Sequence, residues 1–268
     1  MEDFQEGELL LGQYQILSKL GEGRFGKVYK VRVLKGRNKG KTLAMKVAKD
    51  LEFIPYLWKE VQTLILFNHP HIVSMISYLY KKEKRELYVL YEYMDMGNLR
   101  EYVSKKGKLE EKEAIKILSH VARGLEFLHS RGYIHGDVKP ENVFGKRVLN
   151  SILWKIGDFG LMRIRGESGV IDIKGTVGYI APEVFHGELH RSSDVFSLGC
   201  LFYYMLTGEE LFSGEERLIK NRQCVYSLEG GFSDKAARLM ELMLQREHRN
   251  RFKTAKELLN YMVKERLI

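Results

Sequence analysis

With 268 residues, 44% of them hydrophobic and 29% charged, the chain has room for one large domain or two lobes sharing a cleft, and its balance is that of a soluble globular enzyme. Two cysteines, Cys200 and Cys224, exclude a disulfide scaffold and fit a reducing, cytoplasmic setting; Met1 to Gly7 carry three acidic residues and no basic leader, and no apolar run approaches the ~20 residues of a membrane span. The formal charge of +9 would suit nucleic acid or anionic lipid, yet no Arg/Lys cluster is interleaved with aromatic residues, so a basic solvated surface is expected and a nucleic-acid partner is not.

Residues 1–13 read as a short acidic and apolar extension, and Tyr14 to Leu20 alternate as a first strand. Then comes Gly21-Glu22-Gly23-Arg24-Phe25-Gly26-Lys27-Val28. Its glycines let the backbone approach phosphates, and Val28 offers an apolar face to a flat base. A dinucleotide-binding turn needs a helix immediately afterwards. Lys27 to Leu34 reads as a strand instead, which favours a hairpin covering a nucleotide. Lys35 to Lys41 form a lysine-rich exposed turn. Leu43 to Ala48 is an apolar strand interrupted by Lys46 alone, and a lysine in such a run is costly without an anionic partner. Pro55 suits a first helical turn, and Leu57, Val61, Leu64 and Ile65 recur at helical spacing, with Glu60 on the face of Leu57 and Leu64. Ile72 to Tyr80 and Glu86 to Tyr93 read as strands joined by the charged turn Lys81 to Arg85.

Beyond Met96-Gly97-Asn98 the pattern turns helical, with Ala114, Ile115, Leu118, Val121, Ala122, Leu125 and Leu128 in register and Gly132 suited to the stop. Directly after it stands His135-Gly136-Asp137-Val138-Lys139-Pro140-Glu141-Asn142, and Asp158-Phe159-Gly160 begins sixteen residues after Asn142. These supply a carboxylate flanked by a lysine, and an amide and a second carboxylate able to share a metal. Such groups fit the transfer of a phosphoryl group, where a protein aligns a hydroxyl and neutralises spreading charge more than it does covalent chemistry. Hard magnesium accepts an amide oxygen and a carboxylate while keeping several waters. Leu161 to Ile180 lead to Ala181-Pro182-Glu183. Ser193 to Met205 form a helix apolar all round, hence buried. Ala236 to Leu244 is another apolar-faced helix, and Thr254-Ala255-Lys256-Glu257 reads as a capping box for the last.

The chain resembles the protein kinases of the Ser/Thr branch over about residues 14–263, on at least six separately placed motifs. The resemblance implies an α+β, bilobal fold: a kinase domain over 14–268, with a small β-rich N-lobe (14–93) holding one main helix, a hinge at 92–97 and a larger, mostly helical C-lobe (98–268). It implies ATP, Mg2+ with Mn2+ as a substitute, and a protein substrate bearing Ser or Thr. Leu20, Gly21, Glu22, Gly23, Arg24, Phe25, Gly26 and Val28 would then line the nucleotide. Ala44 would contact adenine, and Lys46 would anchor phosphates with Glu60 as ion-pair partner, Glu52 being the alternative. Tyr91 would stand at the back of the adenine pocket and narrow it. Backbone groups of Glu92 and Met94 would bond the base, Asn98 would touch the ribose, and Phe144 would floor the adenine.

By the same resemblance Asp137 takes or orients the hydroxyl proton, Lys139 reaches the transferred phosphate, and Asn142 and Asp158 hold the metal. His135 is structural, packed under Phe159. Thr176 faces the substrate and bonds Asp137 and Lys139, while Ser168 is the better candidate for phosphorylation. Asp194 caps its own helix, ties down the catalytic-loop backbone, or does both, and Arg251 pairs with Glu183. Gly136 stands where the family usually has arginine, the group that clamps a phosphorylated activation segment, so activity independent of that phosphorylation is expected. His-Gly-Asp with Asn five residues on also resembles aminoglycoside and choline kinases, against which stand Lys139-Pro140, Asp158-Phe159-Gly160 and Ala181-Pro182-Glu183. A catalytically dead scaffold is the third reading, against which Lys46, Asp137, Asn142 and Asp158 are all present.

Overall fold

The computed structural model describes residues 3–23, 25–164, 177–214 and 216–268. It divides into two compact units, residues 1–95 and 96–268.

The first unit is built on an antiparallel sheet of β1 (Leu9–Leu10), β2 (Tyr14–Glu22), β3 (Gly26–Val33), β4 (Thr42–Ala48), β5 (Met75–Lys81) and β6 (Glu86–Glu92). The strands lie in the order β1-β2-β3-β4-β6-β5. Its helix is α1 (Ile54–Leu64), entered with Pro55 in the first turn as expected. Strand alternation sorts side chains onto two faces. On one, Ile16, Tyr29, Val31, Leu43, Met45, Val47, Tyr88 and Leu90 form a buried apolar cluster. On the other, Ala44 and Lys46 emerge from β4 opposite Tyr91 and Val89 of β6, with Val28 of β3 across from Lys46. The N-terminal extension adds a strand and seals the apolar face: Leu10 belongs to that cluster, Phe4 and Leu11 pack against it, and the rings of Phe4 and Tyr29 are 5.1 Å apart.

The second unit holds α2 (Leu99–Lys106), α3 (Glu111–Ser130), the short pair β7 (Tyr133–Ile134) and β10 (Arg163–Ile164), the hairpin β8 (Val143–Val148) and β9 (Ser151–Ile156), then α4 (Arg191–Thr207), α5 (Arg217–Gln223), α6 (Asp234–Met243) and α7 (Ala255–Lys264). α3 packs against α4 and α7, and α4 against α6. Every residue of α4 from Ser192 to Leu206 is buried, the outcome of its all-round apolar sequence. Gly199 allows α6 close: a Cβ there would lie 2.8 Å from the Leu244 side chain. α4 stops at Gly208, which takes φ +80°. The capping box expected at Thr254 closes differently. Thr254 accepts from Glu257 N at 3.3 Å, but the Glu257 carboxylate reaches past it to Lys253 N at 2.8 Å.

The β8–β9 hairpin is tied down on several sides. Met96 N and Gly97 O bond Gly145, Trp154 N donates to His120 Nδ1 of α3 at 3.3 Å, and the Trp154 ring meets Tyr102 of α2 edge-on at 5.1 Å. Among the described residues no helix is long and apolar enough to cross a membrane.

Candidate active site

In the first unit, the lone lysine of β4 has its anion. Lys46 Nζ lies 2.8 Å from Glu60 Oε2, fourteen residues on, and both residues are buried. Glu52 is exposed in the turn before α1 and is not that partner. The second oxygen of Glu60 accepts the Tyr91 hydroxyl at 2.8 Å. Two donors therefore fix one carboxylate, and the tyrosine expected only to narrow a pocket also orients the ion pair. Glu92 donates its N–H to Ser74 O at 3.0 Å and accepts from Ser74 N at 2.9 Å, so a base-contacting group on Glu92 is not its N–H.

The glycine-rich hairpin is shaped by contacts at its base. Gly21 and Glu22 pair with Val28 and Lys27, and Gly23 N donates to Gly26 O at 2.9 Å. Gly26 lies so close to β4 that a Cβ would meet Val47 O at 2.5 Å. Bonds from Lys49 and Lys19 pull the Glu22 carboxyl down to about 2. Phe25 stacks on Tyr56 at 4.9 Å and 20° and meets Phe53 edge-on. Leu20 is exposed and Met94 buried. Arg24 lies outside the described residues, as do Ser168 and Thr176.

In the second unit, the loop between β7 and β8 carries Asp137, Lys139 and Asn142. Asp137 Oδ2 lies 2.9 Å from Lys139 Nζ. Asn142 Nδ2 donates to Asp137 Oδ2 at 2.9 Å and to Asp137 O at 2.8 Å. With the amide nitrogen so committed, the amide oxygen is turned from Asp137 and is the end able to ligate a cation. Asp158 takes φ +58° at the head of the Asp-Phe-Gly turn. An amide oxygen and a carboxylate are the hard donors that magnesium accepts. Asn98 caps α2 through its side chain, accepting Glu101 N at 2.9 Å, and bridges to Phe144.

His135 is held on both ring nitrogens by backbone. Asp137 N donates to Nδ1 at 3.2 Å, which leaves the proton on Nε2 to donate to Gly157 O at 3.2 Å. Phe159 lies edge-on to that ring at 5.3 Å. Asp194 of α4 binds the same loop: Oδ2 accepts His135 N at 3.0 Å and Oδ1 accepts Gly136 N at 2.9 Å. It does not cap its own helix, where the Ser193 hydroxyl instead receives His190 N at 3.0 Å. Sequence reasoning missed the third partner, His129 Nε2 at 2.8 Å, whose Nδ1 accepts Ala255 N of α7. Burial alone would raise the Asp194 carboxyl, but the His129 bond and the Gly136 N–H outweigh it, and the group titrates below the usual carboxylate range. Behind the loop, Arg251 holds Glu183 in two bonds of 2.8 and 2.9 Å.

The Protein kinase domain family matches this chain over residues 14–263. The chain belongs to the protein kinase family. Two similar proteins agree with that assignment. The probable serine/threonine-protein kinase zyg-1 of Caenorhabditis briggsae is 34% identical over 199 residues, 74% of this chain and 27% of that protein. CBL-interacting protein kinase 17 of Oryza sativa subsp. japonica is 34% identical over 215 residues, 75% of this chain and 45% of that protein. This kinase-family chain thus spans less than half the length of either curated relative.

Proposed function

We propose that this chain is an ATP-dependent serine/threonine protein kinase, moving the γ-phosphoryl group of ATP to a Ser or Thr hydroxyl of a protein substrate. The observation that carries the reading is the Asp137 carboxylate, set by Lys139 Nζ and Asn142 Nδ2, each at 2.9 Å. A carboxylate so restrained is aimed to receive a hydroxyl proton as the hydroxyl oxygen bonds to phosphorus and the bond to the ADP oxygen breaks. Lys139 neutralises charge on the phosphoryl oxygens. Lys46, braced by Glu60, anchors the phosphates of ATP, and the hairpin from Gly21 to Gly26 lays backbone N–H groups along them. Magnesium, with manganese as a substitute, would be held by Asn142 and Asp158 and would supply charge neutralisation at the phosphates when bound. Thr176 is assigned to the substrate side.

The test is transfer of labelled phosphate from Mg-ATP to a degenerate Ser/Thr peptide library. Asp137→Asn is expected to lower kcat by a factor on the order of 10² to 10⁴. Equal ATP consumption by wild type and variant would point to a scaffold, and transfer to aminoglycosides but not peptides would point to a small-molecule phosphotransferase.

Without an arginine at position 136 the charge that clamps a phosphorylated segment is missing, so protein made without kinases and stripped by phosphatase is expected to keep most of its activity. Loss of most activity on dephosphorylation would refute this, and Ser168 would then be the hydroxyl to examine. A cytoplasmic setting suits the two free thiols of Cys200 and Cys224. Fractionation of cells expressing the tagged chain tests that placement.

A further inference from the structure

On the second unit, Glu188 and His190 leave the extended segment before α4, and His248 opens a single turn of helix at residues 248–250. His190 has φ −123° and ψ 163°, and in extended backbone residues two apart project to one side. That places Glu188 Oε2 3.3 Å from His190 Nε2. The His190 and His248 rings lie face to face, centroids 4.2 Å apart and 17° from parallel. One ligand atom from each of the three residues lies within 4.8 Å of the other two.

From this we infer a surface site for a divalent transition-metal ion, zinc in the first instance, liganded by Glu188, His190 and His248. The donor set decides the class of metal: two imidazole nitrogens and one carboxylate suit zinc, cobalt or nickel, whereas magnesium and calcium prefer oxygen throughout. Tetrahedral ligands about 2.0–2.1 Å from zinc lie roughly 3.3–3.5 Å from one another. The three ligand atoms must close by up to about 1.5 Å, and the stacked rings must turn so that both imidazole nitrogens face one ion; the Glu188 and His190 side chains are exposed enough to do so by rotamer change. Three protein ligands leave a fourth position for water.

The backbone beneath is already fixed. Glu188 N donates to Glu183 O at 3.2 Å, and His190 N donates to Ser193 Oγ at 3.0 Å. On the opposite side, three residues after His248, Arg251 is locked to Glu183 and to Ser192 O. A bound ion therefore pins the segment after Ala181-Pro182-Glu183 to the turn carrying Arg251, on the solvent side of that buried joint. It does so without touching Asp137 or Lys139.

The experiment is isothermal titration of zinc into tag-free, chelator-treated full chain, with thermal unfolding and Co2+ absorption alongside. Wild type is expected to bind one ion saturably, to melt higher with zinc, and to give the visible bands of four-coordinate Co2+. Magnesium is expected to do none of these. His190→Gln with His248→Gln is expected to weaken binding at least tenfold and to abolish the melting shift. Glu188→Gln alters one exposed carboxyl and is expected to give a smaller loss, which keeps the test informative if the double variant folds poorly. Absence of saturable binding to wild type, or binding undiminished in both variants, would overturn the site.

Discussion

Tyr91 and Glu60, thirty-one residues apart, share a 2.8 Å hydrogen bond in which the phenol donates to Oε1 while Lys46 holds Oε2. The bond gives the last residues of β6 control over the rotamer of a carboxylate on α1. Tyr91→Phe keeps the ring and its packing but removes one of two donors to a buried charge. That is expected to cost about 1.5–3 kcal/mol in urea unfolding. It is also expected to raise KM for ATP more than it lowers kcat, since Lys46 would be less firmly placed. An unchanged KM with unchanged stability would show that Lys46 alone positions Glu60.

Gly136 has a conformational reason beyond the loss of an arginine. Its φ is +75°, where an L side chain is strained, although a Cβ would meet nothing nearer than Leu161 O at 3.5 Å. Gly136→Ala is therefore expected to lower stability by about 1–2 kcal/mol through backbone strain alone. Chemical denaturation measures it, and a neutral substitution would mean that the loop relaxes to negative φ without losing the bond from Gly136 N to Asp194.

Asp194 predicts the acid behaviour of the fold. Its folded carboxyl titrates below the ordinary range, so its stabilisation is fully present above the unfolded value of about 3.9 and is lost as pH falls through the folded value. Asp194→Asn presents an amide to three donors and is expected to cost roughly 3 kcal/mol near neutral pH. The gap between wild type and variant should narrow on acidification below about pH 4. Urea midpoints measured from pH 7 to pH 3 check this, and a gap that stays constant would assign the acid sensitivity elsewhere.

The pairing of Lys46 with Glu60 is legible because both signals are local: a lysine costly within an apolar strand, and a glutamate on the buried face of the following helix. The buried α4 is legible for the same reason, as an apolar run of helical length. What escaped reading are partners brought together by folding. Asp3 reaches Lys19 and Lys27 at 2.9 and 2.8 Å, and β1 has only two residues, too few for alternation to register. His129 meets Asp194 across sixty-five positions, and Arg100 joins Glu141 and Glu210 across forty-one and one hundred and ten. No periodicity encodes these contacts. The Glu257 carboxylate accepts Lys253 N, one residue before the N–H that a capping box uses, and the residue types alone do not distinguish the two.

Arg251 and Glu183 supply the sharpest test of the packing around the start of α4. The Arg251 side chain has no solvent exposure, that of Glu183 has 8%, and the guanidinium lies 4.8 Å from the centre of the Phe196 ring. Glu183 Oε1 also accepts Ser193 Oγ at 2.7 Å, so the carboxylate joins the turn carrying Arg251 to the start of α4. Arg251→Met fills comparable volume but leaves a buried anion with the serine alone, and is expected to destabilise by about 3–5 kcal/mol. Arg251→Lys should rescue little, because an ammonium cannot reproduce the planar two-point grip. Removing the anion as well, in Arg251→Met with Glu183→Met, is expected to recover part of the loss, since the uncompensated charge and not the absent bond is the main cost. Urea unfolding of wild type, Arg251→Met, Glu183→Met and the double variant gives the coupling energy directly. A double variant as unstable as the sum of the singles would mean that the two side chains act independently, with the joint held by packing on Phe196 instead.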